Sequence, residues 1–164
     1  MSSHARAGGV RLRAMRDDEF VAYLGPSLEE YARFVARNHA IPIATARARA
    51  ASSTEQMLTA GLHTDGHRFF VAEDETGAHV GDLWLGLRRL DGAEMVWVYD
   101  VRVDEERRGR GYGRLIMGSA EDLAREMGGE RLGLNVFGDN ERARRLYESL
   151  GYAEISRQMR KDLV

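Results

Sequence analysis

Three glycines at alternate positions, Gly109, Gly111 and Gly113, stand among Arg107, Arg108, Arg110 and Arg114, where an apolar stretch passes into a helical pattern. Glycine is costly in a helix start chosen for stability alone. A helix N-terminus, however, carries unpaired N–H groups and partial positive charge, which suit an anion. Glycines let those N–H groups approach a phosphate with no Cβ in the way, and arginines add charge-assisted contacts. An ordinary strand-to-helix turn could have the same composition, so the stretch alone leaves both readings open. Two nucleotide motifs are excluded: no GxxxxGK is followed by Ser or Thr, and a GxGxxG beginning at Gly109 would need glycine where Arg114 stands. A second reactive feature is Asp100, an isolated carboxylate in the apolar run MVWVYDV. Such a group must be hydrogen-bonded if the strand is covered on both faces.

The glycines also fill Arg-x-x-Gly-x-Gly, with Arg108, Gly111 and Gly113. This resembles the acyl-CoA signature of the GCN5-related N-acetyltransferase (GNAT) family. VYDVRV resembles that family's fourth strand, and LNVFGDNERARRLYESLGYAE resembles its later motif through Asn140, Ala143, Tyr147 and Gly151-Tyr152. These motifs cover about residues 79 to 155, and the order of elements fits the whole chain.

The resemblance implies acetyl transfer from acetyl-CoA to an amine. It assigns the pyrophosphate to the turn Arg108, Gly109, Arg110, Gly111, Tyr112, Gly113 and Arg114, and the pantetheine arm to the backbones of Val101 and Val103. The Val101 N–H becomes the oxyanion donor. Asn140 falls where the family binds the cofactor, and a plain helix N-cap fits it equally well. Tyr147 becomes the general acid for the leaving thiolate, although its spacing with Ala143, Leu146 and Leu150 also fits a core aromatic. The chain departs from the family at Trp97, where some members carry a glutamate base. Asp100 ranks first as its replacement, with Glu94, Tyr99 or a water chain as alternatives. With no cysteine nucleophile, direct transfer in a ternary complex is expected. A homodimer is expected only because dimers are frequent in the family.

Composition bounds the remaining classes. The chain has 164 residues, 43% of them hydrophobic, no cysteine and a net charge of -2. It is long enough for one domain with a real core, and it has neither disulfides nor thiolate metal sites. A slightly acidic balance argues against nucleic acid as a partner. No apolar run is long enough to span a bilayer and no signal peptide is evident, so a cytoplasmic protein without membrane association is expected. His63 and His67 flank turn residues, and no metal site is expected. An acyl-CoA sensor without turnover is the second reading, motivated by Trp97.

Those residues need elements to position them. VRLRAM, 10–15, reads as a strand, and Asp17 and Asp18 can cap a helix that Gly25-Pro26 should break. Ser27 should cap a second helix over 27–40, and 45–62 reads as a more polar helix, able to close as a flap. A meander of strands follows over 67–73, 80–87 and 94–103. Helical spacing resumes from Tyr112 and ends at Gly128-Gly129, 131–137 reads as a strand, and Asn140 caps a last helix. The tail, 152–163, is expected to add one or two closing strands. The expected fold is α/β: a single GNAT-like acyl-CoA-binding domain over 1–164, with a mixed sheet of six to seven strands and about four helices.

Overall fold

The computed structural model describes residues 5–7, 9–90 and 92–163. The sheet is mixed, with strands in chain order. β1 (Ala5–Ala7) is a three-residue edge piece, and the body comprises β2 (Val10–Ala14), β3 (His67–Asp74), β4 (His79–Leu90), β5 (Ala93–Val103) and β6 (Leu132–Leu134). Neighbours are antiparallel except β5 and β6, which run parallel. Four helices accompany them: α1 (Asp17–His39), α2 (Ile43–Met57), α3 (Tyr112–Glu126) and α4 (Glu141–Ser149).

Alternation along the strands divides the two faces. Phe69, Val71 and Trp84 pack with Phe20 and Tyr23 of α1. Phe70, Ala72, Leu83 and Leu85 pack with Ile116, Met117, Ala120 and Leu123 of α3. α2 lies on α1 through Ala32, Ala46 and Ala50.

Four expectations are corrected. The body of the sheet has five strands, not six to seven, because 152–163 forms none. The tail's Ile155, Met159 and Leu163, all exposed, would share one strand face with Arg157 and Lys161 between them, so no continuous apolar face exists for a strand to bury. Strand 131–137 contracts to Leu132–Leu134, its pairing with β5 ending at Val98↔Leu134. Finally, Gly25-Pro26 does not break α1, which runs through Pro26. An interior proline costs about 3 kcal/mol. Buried Phe20 and Tyr23 before it and Ala32 after it hold the helix to the sheet and to α2, and Pro26 itself faces solvent. The N-cap is Arg16, not an aspartate, and its N–H donates to Glu19.

At the start of β4, His79 lies between two carboxylates, with Nδ1 2.7 Å from Asp104 and Nε2 3.0 Å from Asp82. Arg102 also donates to Asp82, at 2.8 Å. Only the imidazolium can donate to both sides, and the hydrogen bond to Asp82 leads the causes that raise its pKa to about 9. The stabilisation is therefore fully present below the unfolded value of about 6.5 and is lost as pH rises through about 9. At this half-exposed position it amounts to about 1 kcal/mol or less. The melting-temperature gap between wild type and His79→Gln should shrink as pH is raised from about 7 to about 10; a constant gap would show that the imidazolium is not what stabilises.

Candidate active site

A bulge in β5 decides which side chains reach the site. Trp84 of β4 pairs with Asp100, but Leu85 pairs with Val98, so Tyr99 is an extra residue. Two residues opposing one shift the alternation by one place. Before the bulge Val96 and Val98 are in the core against α3, and after it Val101 and Val103 pack on that side. On the α1 side, Tyr99 stacks on Trp84 with centroids 4.8 Å apart. Asp100 follows on the same side, where it meets α1. Tyr23 Oη and Ser27 Oγ donate to its Oδ2, at 2.8 and 2.7 Å. Burial raises the Asp100 pKa, and these two hydroxyls oppose the shift. Ser27, expected to cap a helix, is instead a buried hydroxyl donor to this carboxylate.

β5 outlasts β6. Its pairing with β6 stops at Val98, while its pairing with β4 continues to Val103↔Gly81. Along Val101 to Val103 the β6 side therefore has no strand neighbour among the described residues. Gly81 makes the opposite contact possible: a Cβ there would lie 2.0 Å from the Arg102 carbonyl oxygen.

The glycine turn opens beyond this edge. Gly109 and Gly111 have φ of 81° and 85°, in the left-handed region that favours glycine. A Cβ on either would meet nothing within 4 Å, so both turn an open face to solvent. Gly111 is the N-cap of α3, leaving the N–H groups of Tyr112 and Gly113 at the helix start. Gly113 serves packing: its Cβ would stand 3.2 Å from Leu146 of α4.

The arginines are less uniform than their spacing suggests. Arg108 Nε donates to the Val103 carbonyl at 3.0 Å, bracing the turn against β5. Arg107 reaches Asp74 at 3.4 Å, and Arg114 reaches Ser149 of α4. Arg110 is exposed and lies outside the cleft wall.

Asn140 caps α4, its Oδ1 accepting from the Ala143 N–H at 3.2 Å, and it also lines the cleft. Tyr147, on the same helix, packs against Tyr152 with centroids 5.8 Å apart. Its hydroxyl has no hydrogen bond among the described residues. Burial first, and then the charge of Asp100, push its pKa up to about 12. Of the other base candidates, Tyr99 lines the cleft, whereas Glu94 lies at the start of β5, 3.4 Å from Arg89 and outside the cleft wall. Trp97 lines the cleft beneath Arg88, whose guanidinium sits 4.4 Å from the ring centroid.

One cleft of about 1040 Å³ joins these groups, running from the glycine turn past β5 to α1 and α2. That lies at the upper end of the usual range for a small-molecule or cofactor site. Sequence reasoning missed Tyr23 and Ser27 as partners of Asp100, and Glu30 and Arg88 as cleft residues. The available signal was the need of a buried aspartate for donors, together with two hydroxyls at i and i+4 on one helix face. Among the described residues no cluster of three or more His, Asp or Glu could hold a metal ion, and no helix is long and apolar enough to cross a membrane.

Known proteins resemble the chain as a whole. Residues 9–152 match the family model of the acetyltransferase (GNAT) family. The uncharacterized N-acetyltransferase YdgE of Bacillus subtilis is 32% identical over 152 residues, covering 93% of this chain and 97% of that protein. A mycothiol acetyltransferase of Propionibacterium freudenreichii is 31% identical over 90% of this chain, which spans 44% of that protein. The crystal structure of YycN from Bacillus subtilis superposes with a TM-score of 0.88 at 28% identity, over 94% of this chain and 99% of that one.

Proposed function

This chain belongs to the GNAT acetyltransferase family and is an acyl-CoA-dependent acetyltransferase; from that premise we propose that it moves an acetyl group from acetyl-CoA directly to an amine held beside Asp100. The observation that carries the reading is the meeting, in one cleft, of the unpaired β5 edge, the open glycine turn, Tyr147 and Asp100.

The donor's pyrophosphate fits the Tyr112 and Gly113 N–H groups, and its pantetheine arm fits the Val101–Val103 edge. The Val101 N–H then receives the thioester oxygen as negative charge develops. Asp100 takes the proton from the attacking amine, helped by a pKa above the ordinary carboxylate range. Tyr147 stays protonated at working pH and gives its proton to the departing thiolate, whose own pKa is about 8.5. The two transfers assist each other: once Asp100 is neutral, one of the causes that hold the Tyr147 proton is gone.

Thiol release from acetyl-CoA across a panel of primary amines tests the transfer, and intersecting initial-rate plots test the ternary complex; parallel plots would remove direct transfer. Asp100→Asn should lower kcat/KM for the amine by about 10²–10⁴-fold while acetyl-CoA affinity holds. Because the base works deprotonated, wild-type activity should rise with pH through the raised Asp100 pKa, and the variant should lose that acid limb. An unchanged limb would reassign the base. Tight acetyl-CoA binding with no amine turned over across the panel would overturn the transfer reading and leave an acyl-CoA sensor in its place.

A further inference from the structure

The part of the cleft away from the glycine turn carries charges that donor binding does not use. At the level of Asp100 it holds a second carboxylate, Glu30, three residues after Ser27 on α1. Glu30 is exposed and has no ion pair or hydrogen bond among the described residues. Further along the sheet stands Arg88 of β4, resting on the Trp97 ring. No carboxylate among the described residues pairs with it, although the next residue, Arg89, meets Glu94 at 3.4 Å.

The register separates the two ends. Trp84 is opposite Asp100 and Arg88 is opposite Met95. Four residues of strand, about 13 Å, lie between those levels. The wall between them is aromatic, formed by Trp84, Tyr99 and Trp97. Two other cations that line the cleft, Arg37 of α1 and Arg102 of β5, are already paired, with Asp139 at 2.6 Å and with Asp82 at 2.8 Å. Arg88 is thus a guanidinium parked on a tryptophan face at one end of an aromatic wall, with the unpaired carboxylate of Glu30 at the other. The parking contact is weak at an exposed site, whereas a carboxylate can take two parallel hydrogen bonds from a guanidinium.

Resting on the acetyl-transfer reading, we propose that the acceptor is an amine that also carries an anionic group, joined by an apolar arm. Glu30 and Asp100 receive its ammonium end, and Arg88 receives its anionic end. Trp97 acquires a purpose in this arrangement, since it gives Arg88 a face to rest on until the anion arrives.

The test uses ω-amino carboxylic acids of graded chain length against alkylamines of the same length, in thiol-release assays on the whole protein. Wild type should prefer the amino acid by about tenfold or more in kcat/KM at one length. Arg88→Glu should invert that preference and favour diamines. Equal kcat/KM for the two series in wild type, or an unchanged preference in Arg88→Glu, overturns the inference and leaves acetyl transfer standing. If no amine is turned over, the transfer reading fails separately, and tryptophan emission of the CoA-saturated protein decides the inference. An amino acid that displaces Arg88 from Trp97 should change the emission of wild type and not of Arg88→Glu; no change in either overturns it.

Discussion

Gly111→Trp should raise the Kd for acetyl-CoA by at least about 100-fold, a loss of about 2.8 kcal/mol, while the protein stays folded. Gly111 stands at the first N–H groups of α3 with φ of 85°, and its missing Cβ would meet nothing within 4 Å. A side chain at that place therefore starts from open space at its Cβ, and an indole would cover the face on which a phosphate would reach the Tyr112 and Gly113 N–H groups. Its cost to the fold is the left-handed conformation, about 1–2 kcal/mol. Calorimetric titration measures the affinity and thermal denaturation the fold. Arg110→Ala is the contrast, because Arg110 lies outside the cleft wall and should change affinity by a few-fold at most. Tight binding by Gly111→Trp would remove the turn from the donor site.

Tyr147→Phe should lower kcat by about 10²–10³-fold, within the range for a lost general acid, with the KM for acetyl-CoA little changed. The ring, and with it the contact to Tyr152, is kept. The hydroxyl has no hydrogen bond to lose among the described residues, so the melting temperature should stay close to that of wild type. With the phenol pushed up to about 12, no alkaline limb from Tyr147 should appear in the accessible pH range. A variant as fast as wild type at every pH would return Tyr147 to the status of a packed aromatic.

The parts of this site that could be read from the chain are those made by neighbours in sequence. Gly109 and Gly111 adopt positive φ within their own turn, and Asn140 caps a helix by bonding to Ala143, three residues on. The same locality misled at Gly25-Pro26. A proline next to a glycine is a strong break signal, yet packing on both sides of Pro26 carried α1 through it. The arginines show a further limit. Their sequence crowding suggests one shared phosphate role, and it does not reveal that Arg107, Arg108 and Arg114 each also reach a different element. Such partners lie up to 35 residues away, and nothing near the glycines announces them.

By itself, then, the sequence determined the glycine turn, the capped helix that carries Tyr147 and the order of the elements, all consequences of local spacing. Only the tertiary structure decided where Asp100 points. Strict alternation through MVWVYDV would set Asp100 on the side of Val96 and Val98, inside the apolar core under α3. The extra residue at Tyr99 turns it to the opposite face, where Tyr23 and Ser27, 77 and 73 residues earlier, supply its hydrogen bonds. A bulge is a property of two strands in register, and β5 alone does not contain the register of β4.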